Sequence, residues 1–164
     1  MAIFMAKYFF IIPVLVGGLY FLLYSWQVRK KMIMLSAISL SITILGIFVL
    51  NYFYYDPRPF VTIGFDPIVS HIPDNGFPSD HAALTTLIAL IMYTFHRKLG
   101  FFLFVISLLV SISRIYVGLH HFVDVLAGTL LAILACALSQ AMIKHWILSY
   151  FEKENKQETI FKSL

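Results

Sequence analysis

The chain has 164 residues, of which 60% are hydrophobic, 16% aromatic and only 12% charged, and its mean hydropathy is +0.88. This composition excludes an ordinary water-soluble domain, which needs more polar surface, and it predicts an integral membrane protein. The formal net charge of +4 does not indicate a nucleic-acid-binding protein, because the basic residues lie in short clusters between apolar runs. The single cysteine, Cys136, can form no intrachain disulfide bond.

Five apolar runs divide the chain, and we predict that each is a transmembrane helix. They cover residues 8–26, 32–55, 78–95, 99–119 and 122–143. Most have about 18 to 24 residues, which is enough to cross a hydrocarbon core of about 30 Å. The third run is marginal, since its strictly apolar part begins only at Ala82. The runs therefore predict an all-α bundle of about five transmembrane helices in one domain, residues 1–148, followed by a polar tail, residues 149–164.

The distribution of charge predicts the sidedness of this bundle. Basic clusters lie between the first and second runs, between the third and fourth runs, and after the fifth run. Five crossings put all three clusters on one side, which the positive-inside rule makes cytoplasmic, together with the tail. The N-terminus would then lie outside. The extracytoplasmic side also carries every aspartate of the chain: Asp56, Asp66, Asp74, Asp80 and Asp124.

Ionisable residues at the outer ends of four runs predict one functional site. They are Arg58, His81, Arg114, His120, His121 and Asp124. Ionisable side chains at the edge of a membrane span are costly, and they are usually functional. Because these residues share the extracytoplasmic side, we expect them to converge there.

Arg58 lies in the sequence NYFYYDPRPF, residues 51–60, at the end of the second run. The prolines on each side of Arg58 stop the helix and restrict the direction of the guanidinium group. A planar group that is always charged suits a pair of phosphate oxygens. Taken alone, Arg58 could equally be an interfacial arginine that contacts lipid headgroups.

The third run opens with Pro78, Ser79, Asp80 and His81. Ser79 is a preferred N-cap residue, and Pro78 keeps the chain before it extended. The first N–H groups of the helix then point outward without partners and, with the helix dipole, form an anion site. Ordinary capping is the alternative. His81 favours a site, because an imidazole at the start of a membrane span needs a polar partner.

The fourth run ends in SRIYVGLHHFVD, residues 113–124. If this stretch is helical, His120 and Asp124 lie four residues apart on one face, within hydrogen-bonding reach. An aspartate bonded to one ring nitrogen leaves the lone pair of the other nitrogen free, which makes the histidine a nucleophile or a base. Arg114 would bind the attacked anion. Spacing alone does not choose between His120 and His121, and a His–Asp pair that only caps a helix is the other interpretation.

These groups match displacement at phosphorus, which needs an anion clamp, a nucleophile and a general acid. No cluster in the sequence has convincing metal-ligand spacing, and no phosphate-binding glycine loop is present. His71, in the predicted outer loop, is given no role.

At these residues the sequence resembles the type 2 phosphatidic acid phosphatase superfamily. The motifs of that superfamily are K-x6-R-P, P-S-G-H and S-R-x5-H-x3-D. Here they read Asn51-x6-Arg58-Pro59, Pro78-Ser79-Asp80-His81 and Ser113-Arg114-x5-His120-x3-Asp124. The resemblance covers residues 51–124 and extends into the last run. It implies a membrane phosphatase that uses no metal and no other cofactor.

The resemblance also implies a role for each matched residue. His120 would attack phosphorus and carry a phosphohistidine, with Asp124 orienting it, and His81 would protonate the leaving group. The register of the third motif prefers His120 to His121. The phosphoryl oxygens would be bound by Arg58, Ser79, Arg114 and the backbone N–H of Asp80.

Two positions depart from the motifs. Asn51 replaces a lysine and becomes a candidate substrate contact that offers only a neutral hydrogen bond, and Asp80 replaces a glycine. The PSDH form and its flanking sequences resemble bacitracin-resistance-type undecaprenyl-diphosphatases. That resemblance implies hydrolysis of undecaprenyl diphosphate on the outer side of the bacterial cell membrane, which recycles the cell-wall carrier lipid. A phosphate leaving group is less basic than an alkoxide, so loss of the lysine is compatible with a diphosphate substrate.

Other functions stay open at this level. A phosphatidylglycerophosphate or phosphatidate phosphatase is the alternative within the same enzyme class. His81 with His120 or His121 would suit a haem in a membrane electron carrier. Metal-assisted hydrolysis would use His120, His121, Asp124 and Asp80. A lipid-binding protein without catalysis is the remaining alternative. The expected partners are a polyprenyl diphosphate lipid and the bilayer, without nucleic acid, and protein partners are not predicted.

Overall fold

The structure, a computed structural model, describes residues 2–67 and 69–162. Within these residues it contains helices and no strand, apart from a single bridge between Pro57 and Asn75. The helices are α1 (Ala2–Tyr8), α2 (Ile11–Leu23), α3 (Trp26–Phe53), α4 (Pro59–Ile63), α5 (Asp80–Phe95), α6 (Arg97–Tyr116) and α7 (Phe122–Lys162). The prediction of an all-α membrane bundle is confirmed.

Among the described residues, three helices are long and apolar enough to cross a membrane: α3, α6 and the Phe122–Trp146 part of α7. The other two long apolar elements are shorter, since α2 has 13 residues and α5 has 16. The third predicted run, which α5 forms, is therefore marginal in the structure as it is in the sequence. Together, α2, α3, α5, α6 and α7 form the bundle of about five helices that the apolar runs predict.

The sequence predicts one helix over residues 8–26, whereas the helix of this run, α2, covers only Ile11–Leu23. The chain turns at Phe9 and Phe10, which separates the short helix α1 from α2. Pro13 lies in the first turn of α2, where a missing N–H is tolerated, so a new helix starts there rather than continuing from α1. The helix of this run is therefore shorter than predicted, and a separate short helix precedes it.

The predicted polar tail continues α7 as far as Lys162. No glycine or proline follows Gly128, so nothing in the local sequence ends the helix earlier. Residues 163 and 164 lie outside the described residues. The assignment of the tail to the cytoplasmic side stays a prediction.

Helix α5 lies at the centre of the bundle and contacts α2, α3, α6 and α7. Small side chains allow this close packing, which drives helix association in lipid. A Cβ atom on Gly100 of α6 would overlap the backbone of Tyr93, and one on Gly128 of α7 would overlap the carbonyl oxygen of Ser79. The Ser107 hydroxyl of α6 also lies 2.8 Å from Thr85 Oγ1 of α5.

The bundle brings four helix ends together. The C-termini of α3 and α6 and the N-termini of α5 and α7 lie at one end, which we call the site end. The basic clusters at residues 29–31 and 97–98 lie at the opposite ends of α3 and α6. The expectation that the ionisable residues converge follows directly from this arrangement.

We expect Gly100→Ala to destabilise the bundle. The added methyl group would separate α6 from the Tyr93 backbone of α5, and overpacking of this kind costs about 1–3 kcal/mol. The midpoint of thermal unfolding in detergent measures the effect. Gly18→Ala is the matched control, because a Cβ there meets nothing within 4 Å. Equal midpoints for the two variants would contradict the close packing of α5 against α6.

Candidate active site

Arg58 is held in one orientation by the prolines on each side of it and by hydrogen bonds to Asp74 and Leu119. Helix α3 has ended at Phe53, and Arg58 precedes α4, whose first residue is Pro59. Its Nε donates a hydrogen bond to Asp74 Oδ1 at 2.6 Å, and its Nη1 donates to the carbonyl oxygen of Leu119 at 2.9 Å. Only 6% of Arg58 is exposed. The restriction that the flanking prolines predict is therefore present, and Asp74 and Leu119 add to it.

His120 lies in the turn between α6 and α7, and only 3% of its surface is exposed. Its Nδ1 lies 2.9 Å from the carbonyl oxygen of Gly76, which can only accept a hydrogen bond. Nδ1 therefore carries the proton in the neutral ring, and Nε2 keeps its lone pair. Nε2 lies 3.3 Å from Arg58 Nη1 and 3.3 Å from Arg114 Nη2. Nε2 thus faces two guanidinium groups.

Residues 113–124 do not form one helix, so the condition under which His120 and Asp124 would share a helix face is not met. Helix α6 ends at Tyr116, and Gly118 has a φ of 73°, the left-handed conformation that commonly ends helices. His120 therefore lies in a turn, while Asp124 lies in the first turn of α7. The two remain close, since His120 Nδ1 is 3.5 Å from Asp124 Oδ2. The same oxygen accepts the backbone N–H of His121 at 2.8 Å, so Asp124 also caps α7.

Ser79 occupies the N-cap position of α5, as predicted, but it does not cap through its side chain. The Oγ atom is buried and has no hydrogen-bond partner among the described residues. A buried hydroxyl without a partner is unfavourable, and an anion at this helix start would satisfy it. Ser79 is fixed by its backbone instead, because its N–H donates to the carbonyl oxygen of Asp124 at 3.0 Å.

A cavity of about 570 Å³ joins these groups at the site end. The predicted site residues that line it are Asn51, Arg58, Asp80, His81, Arg114 and His120. Ser79 and Asp124 are not among the residues that line it. One face of α3, from Leu40 to Phe48, forms an apolar wall of the same cavity. The cavity therefore has a cationic end and a hydrocarbon side.

Asn51 takes part in holding the loop before α5. The side-chain Nδ2 of Asn51 donates to the backbone carbonyl oxygen of Phe77 at 3.3 Å. The backbone carbonyl oxygen of Asn51 accepts from Asn75 Nδ2, also at 3.3 Å. Asn51 still lines the cavity, so its role as a substrate contact stays a prediction. The neutral Asn51 amide donates a hydrogen bond to the loop, whereas a lysine at this position would bring a positive charge to the same contact.

The sequence analysis missed the segment of Asp74, Asn75 and Gly76. Asp74 binds Arg58, and the Gly76 carbonyl oxygen binds His120. Asn75 Oδ1 accepts the backbone N–H of Asp56 at 2.9 Å and that of Phe77 at 3.0 Å, which fixes the segment between its neighbours. Its sequence, Pro-Asp-Asn-Gly, predicts only a turn. No local signal shows that it reaches both Arg58 and His120.

His121 and His71 make other contacts. His121 Nδ1 lies 3.2 Å from Asp56 Oδ2 and 4.0 Å from Asp124 Oδ2, and the ligand atoms of these three residues lie within 4.8 Å of one another. This is the one group of potential metal ligands found in the described residues, and the short contact between His121 Nδ1 and Asp56 Oδ2 accounts for their closeness. His71 lies at the cavity rim, 3.8 Å from Asp74. The expectation that no metal is used stays a prediction.

Arg114 and His81 receive contacts from the N-terminal segment. The carbonyl oxygen of Ala6 in α1 lies 3.4 Å from Arg114 Nη1 and accepts its hydrogen bond. The ring of Phe10 packs edge to face against His81, with 5.0 Å between centroids. The sequence analysis gave this segment no part in the site.

The electrostatics of the cavity favour an anion. Burial lowers the pKa of His120, and Arg114 and Arg58 lower it further, against an opposing effect of Asp124. The ring is therefore neutral at pH values where a free histidine is half protonated. Two guanidinium groups at Nε2 also disfavour an iron ion at that atom, so the haem alternative has no support from this geometry.

Comparison with known proteins identifies similar sequences. The profile of the PAP2 superfamily matches residues 30–147. The bacitracin transport permease protein BcrC of Bacillus licheniformis is 36% identical over 102 residues, and undecaprenyl-diphosphatase BcrC of Bacillus subtilis is 40% identical over 90 residues. These matches cover 58% and 52% of the chain. The chain spans about half the length of these two curated relatives, 50% and 47%.

A third relative matches over a greater length. The putative undecaprenyl-diphosphatase YbjG of Escherichia coli is 30% identical over 143 residues, which cover 85% of the chain and 71% of that protein.

Two solved structures have the same fold. LpxE of Aquifex aeolicus aligns with a TM-score of 0.67 at 20% identity, covering 85% of the chain and 81% of LpxE. A transmembrane PAP2-type phosphatidylglycerolphosphate phosphatase of Bacillus subtilis aligns with a TM-score of 0.60 at 23% identity, covering 88% and 74%. At these identities the similarity supports the fold alone.

We expect nuclear magnetic resonance of ¹⁵N-histidine-labelled protein to show His120 with its proton on Nδ1. Its titration midpoint should lie below the ordinary value of about 6.5, because burial disfavours the charged ring. Loss of the signal in His120→Gln assigns it. A proton on Nε2 in the neutral ring, or a midpoint above the ordinary value, would contradict the geometry described here.

Proposed function

The chain belongs to the PAP2 superfamily, and on that basis we propose that it is a membrane phosphatase that hydrolyses undecaprenyl diphosphate to undecaprenyl phosphate and phosphate. The observation that carries this proposal is the position of His120 Nε2, whose lone pair faces Arg58 and Arg114 at the cationic end of a cavity with an apolar wall. The printed names of the BcrC relatives support the substrate.

In the first proposed step, His120 Nε2 attacks the terminal phosphorus. A nitrogen–phosphorus bond forms while the bond from phosphorus to the bridging oxygen breaks. Undecaprenyl phosphate leaves, and His81, on the same cavity wall, donates a proton to it. Arg58 and Arg114 bind the equatorial oxygens, whose charge increases in the transition state. The enzyme then carries a phosphohistidine.

In the second proposed step, water attacks the phosphohistidine. His81 has given up its proton and takes one from the water, while the hydroxyl oxygen bonds to phosphorus and the nitrogen–phosphorus bond breaks. Phosphate leaves, and both histidines return to their starting states. No other reactant is needed to balance the two steps.

Gly76 and Asp124 contact the Nδ1 atom of His120, on the opposite side of the ring from Nε2. The Gly76 carbonyl oxygen keeps the proton on Nδ1, so Nε2 is always the attacking atom. The ring becomes positively charged when Nε2 bonds to phosphorus. The Asp124 carboxylate, 3.5 Å from Nδ1, stabilises that charge through space.

A lipid diphosphate fits the two sides of the cavity. The diphosphate would lie at the cationic end, and the hydrocarbon chain would leave along the α3 wall formed by Leu40, Ile44, Ile47 and Phe48. A phosphate monoester lipid is the alternative substrate. The neutral Asn51 in place of a lysine favours the diphosphate, because its leaving group needs less electrostatic help to depart.

We also propose that the site end faces the outside of the cell membrane. The basic clusters at residues 29–31 and 97–98 lie at the other end of the bundle, which the positive-inside rule makes cytoplasmic. An outward-facing phosphatase of this kind would recycle the cell-wall carrier lipid and would protect it from bacitracin.

Phosphate release from purified protein tests the reaction. Undecaprenyl diphosphate should be hydrolysed faster than phosphatidate, at the same rate in excess chelator, and His120→Ala should lower the rate at least about a hundredfold, since it removes the nucleophile. His145→Ala is the control, because His145 is exposed on α7, far along the chain from the site. Faster hydrolysis of phosphatidate, or loss of activity in chelator, would contradict the proposal.

Labelling of single cysteines in intact cells tests the sidedness. Ser70→Cys places a thiol in the exposed loop at the site end, and Lys98→Cys places one at the opposite end, while Cys136 is buried. A membrane-impermeant maleimide should label Ser70→Cys directly and Lys98→Cys only after the cells are permeabilised. The reverse pattern would place the site end in the cytoplasm.

A further inference from the structure

A second cavity of about 460 Å³ lies between α2, α3 and α5, farther from the site end, and is open at its edge, where Gly18 and Ala37 are exposed. We call it the inner chamber, and we call the cavity that contains His120 the outer chamber. The inner chamber has almost no polar surface; Ser36 is its one polar side chain in the described part of the chain. Its walls include Gly17, Gly18, Phe21, Ala37, Ile88 and Met92. Such a lining suits a hydrocarbon and offers nothing to a polar ligand.

The two chambers are successive parts of one groove. Leu40 of α3 lines both of them. On α5, Leu84 lines the outer chamber and Ile88, one helical turn further, lines the inner one. The groove follows α3 from Asn51 to Met32, which is 51 − 32 = 19 residues, or about 28 Å at the rise of an α-helix. It therefore extends over nearly the thickness of a hydrocarbon core.

Glycine residues leave the inner chamber open. A Cβ atom on Gly18 would meet no atom within 4 Å, so the missing side chain corresponds to empty space. A Cβ atom on Gly17 would lie 3.3 Å from Ile88, at the edge of the same space. A larger residue at Gly18 would extend into this open space, whereas one at Gly17 would press against the Ile88 side chain.

We propose that the inner chamber binds the distal isoprene units of the substrate and gives the enzyme a preference for long polyprenyl chains. This inference rests on the proposed function, since the substrate must have a chain that starts at the phosphate site. The chain is tethered by its diphosphate to the outer chamber, which gives it a high effective concentration at Leu40 and an advantage over bulk lipid. A farnesyl chain, with three isoprene units, is short enough to lie in the outer chamber alone.

The size of the preference follows from packing. Lipid tails are as apolar as the chamber walls, so the chain gains van der Waals contacts rather than hydrophobic free energy when it leaves the bilayer. We therefore expect a preference of about fivefold to tenfold, expressed mainly in KM.

Filling the inner chamber tests the proposal. Gly18→Leu and Ala37→Phe each add bulk inside it, and Leu19→Phe is the matched control because Leu19 is 62% exposed and lines neither chamber. For each purified variant, kcat and KM are measured with undecaprenyl diphosphate and with farnesyl diphosphate, together with the midpoint of thermal unfolding. The first two variants should lower kcat/KM at least about fivefold for undecaprenyl diphosphate and less than twofold for farnesyl diphosphate.

The outcomes separate this inference from the proposed function. Unchanged kinetics in both chamber variants would show that only bulk lipid occupies the chamber and would overturn the inference. An equal loss with both substrates at an unchanged unfolding midpoint would overturn it as well, as would a chain-specific loss in Leu19→Phe. If the wild-type protein releases no phosphate from either diphosphate, the proposed function fails, and this inference fails with it.

Discussion

The hydrogen bond between His120 Nδ1 and the carbonyl oxygen of Gly76 is the constraint on which the site depends. A carbonyl oxygen can only accept, so this contact of 2.9 Å determines which ring nitrogen carries the proton. The other nitrogen is left facing Arg58 and Arg114. Without the Gly76 contact, the ring could turn or change tautomer, and the lone pair of Nε2 would no longer be held toward the two guanidinium groups.

The position of Gly76 in turn depends on the packing of the bundle. Its N–H donates to the carbonyl oxygen of Asp56 at 2.8 Å, and Asn75 attaches the same segment to the end of α3. A Cβ atom on Gly76 would lie 3.1 Å from Asp124 Oδ2, so the backbone passes close to the start of α7. One short segment therefore connects α3, Arg58 and the turn that carries His120.

The sequence predicted the parts of the site that have local signals. The prolines around Arg58, the N-cap residue Ser79 and the sidedness of charge placed the ionisable residues at one end, and the motif register singled out His120. It was wrong where a glycine conformation decides the structure, because Gly118 ends α6 and moves His120 off the helix of Asp124. It missed the contact of Gly76, since a backbone carbonyl has no sequence signature and the contact joins residues 44 positions apart. The short helix α1 and the later start of α2 were missed as well, because apolar composition does not show where helices break.

The central claim is that His120 Nε2 becomes bonded to phosphorus. Rapid alkaline quenching during turnover of undecaprenyl diphosphate, followed by mass spectrometry of peptides, measures this directly, because phosphohistidine survives at alkaline pH. The account predicts a phosphoryl group on the peptide that contains His120 and none on the same peptide of His120→Gln. Phosphate release that continues in His120→Gln, or a phosphoryl group on another residue, would contradict it.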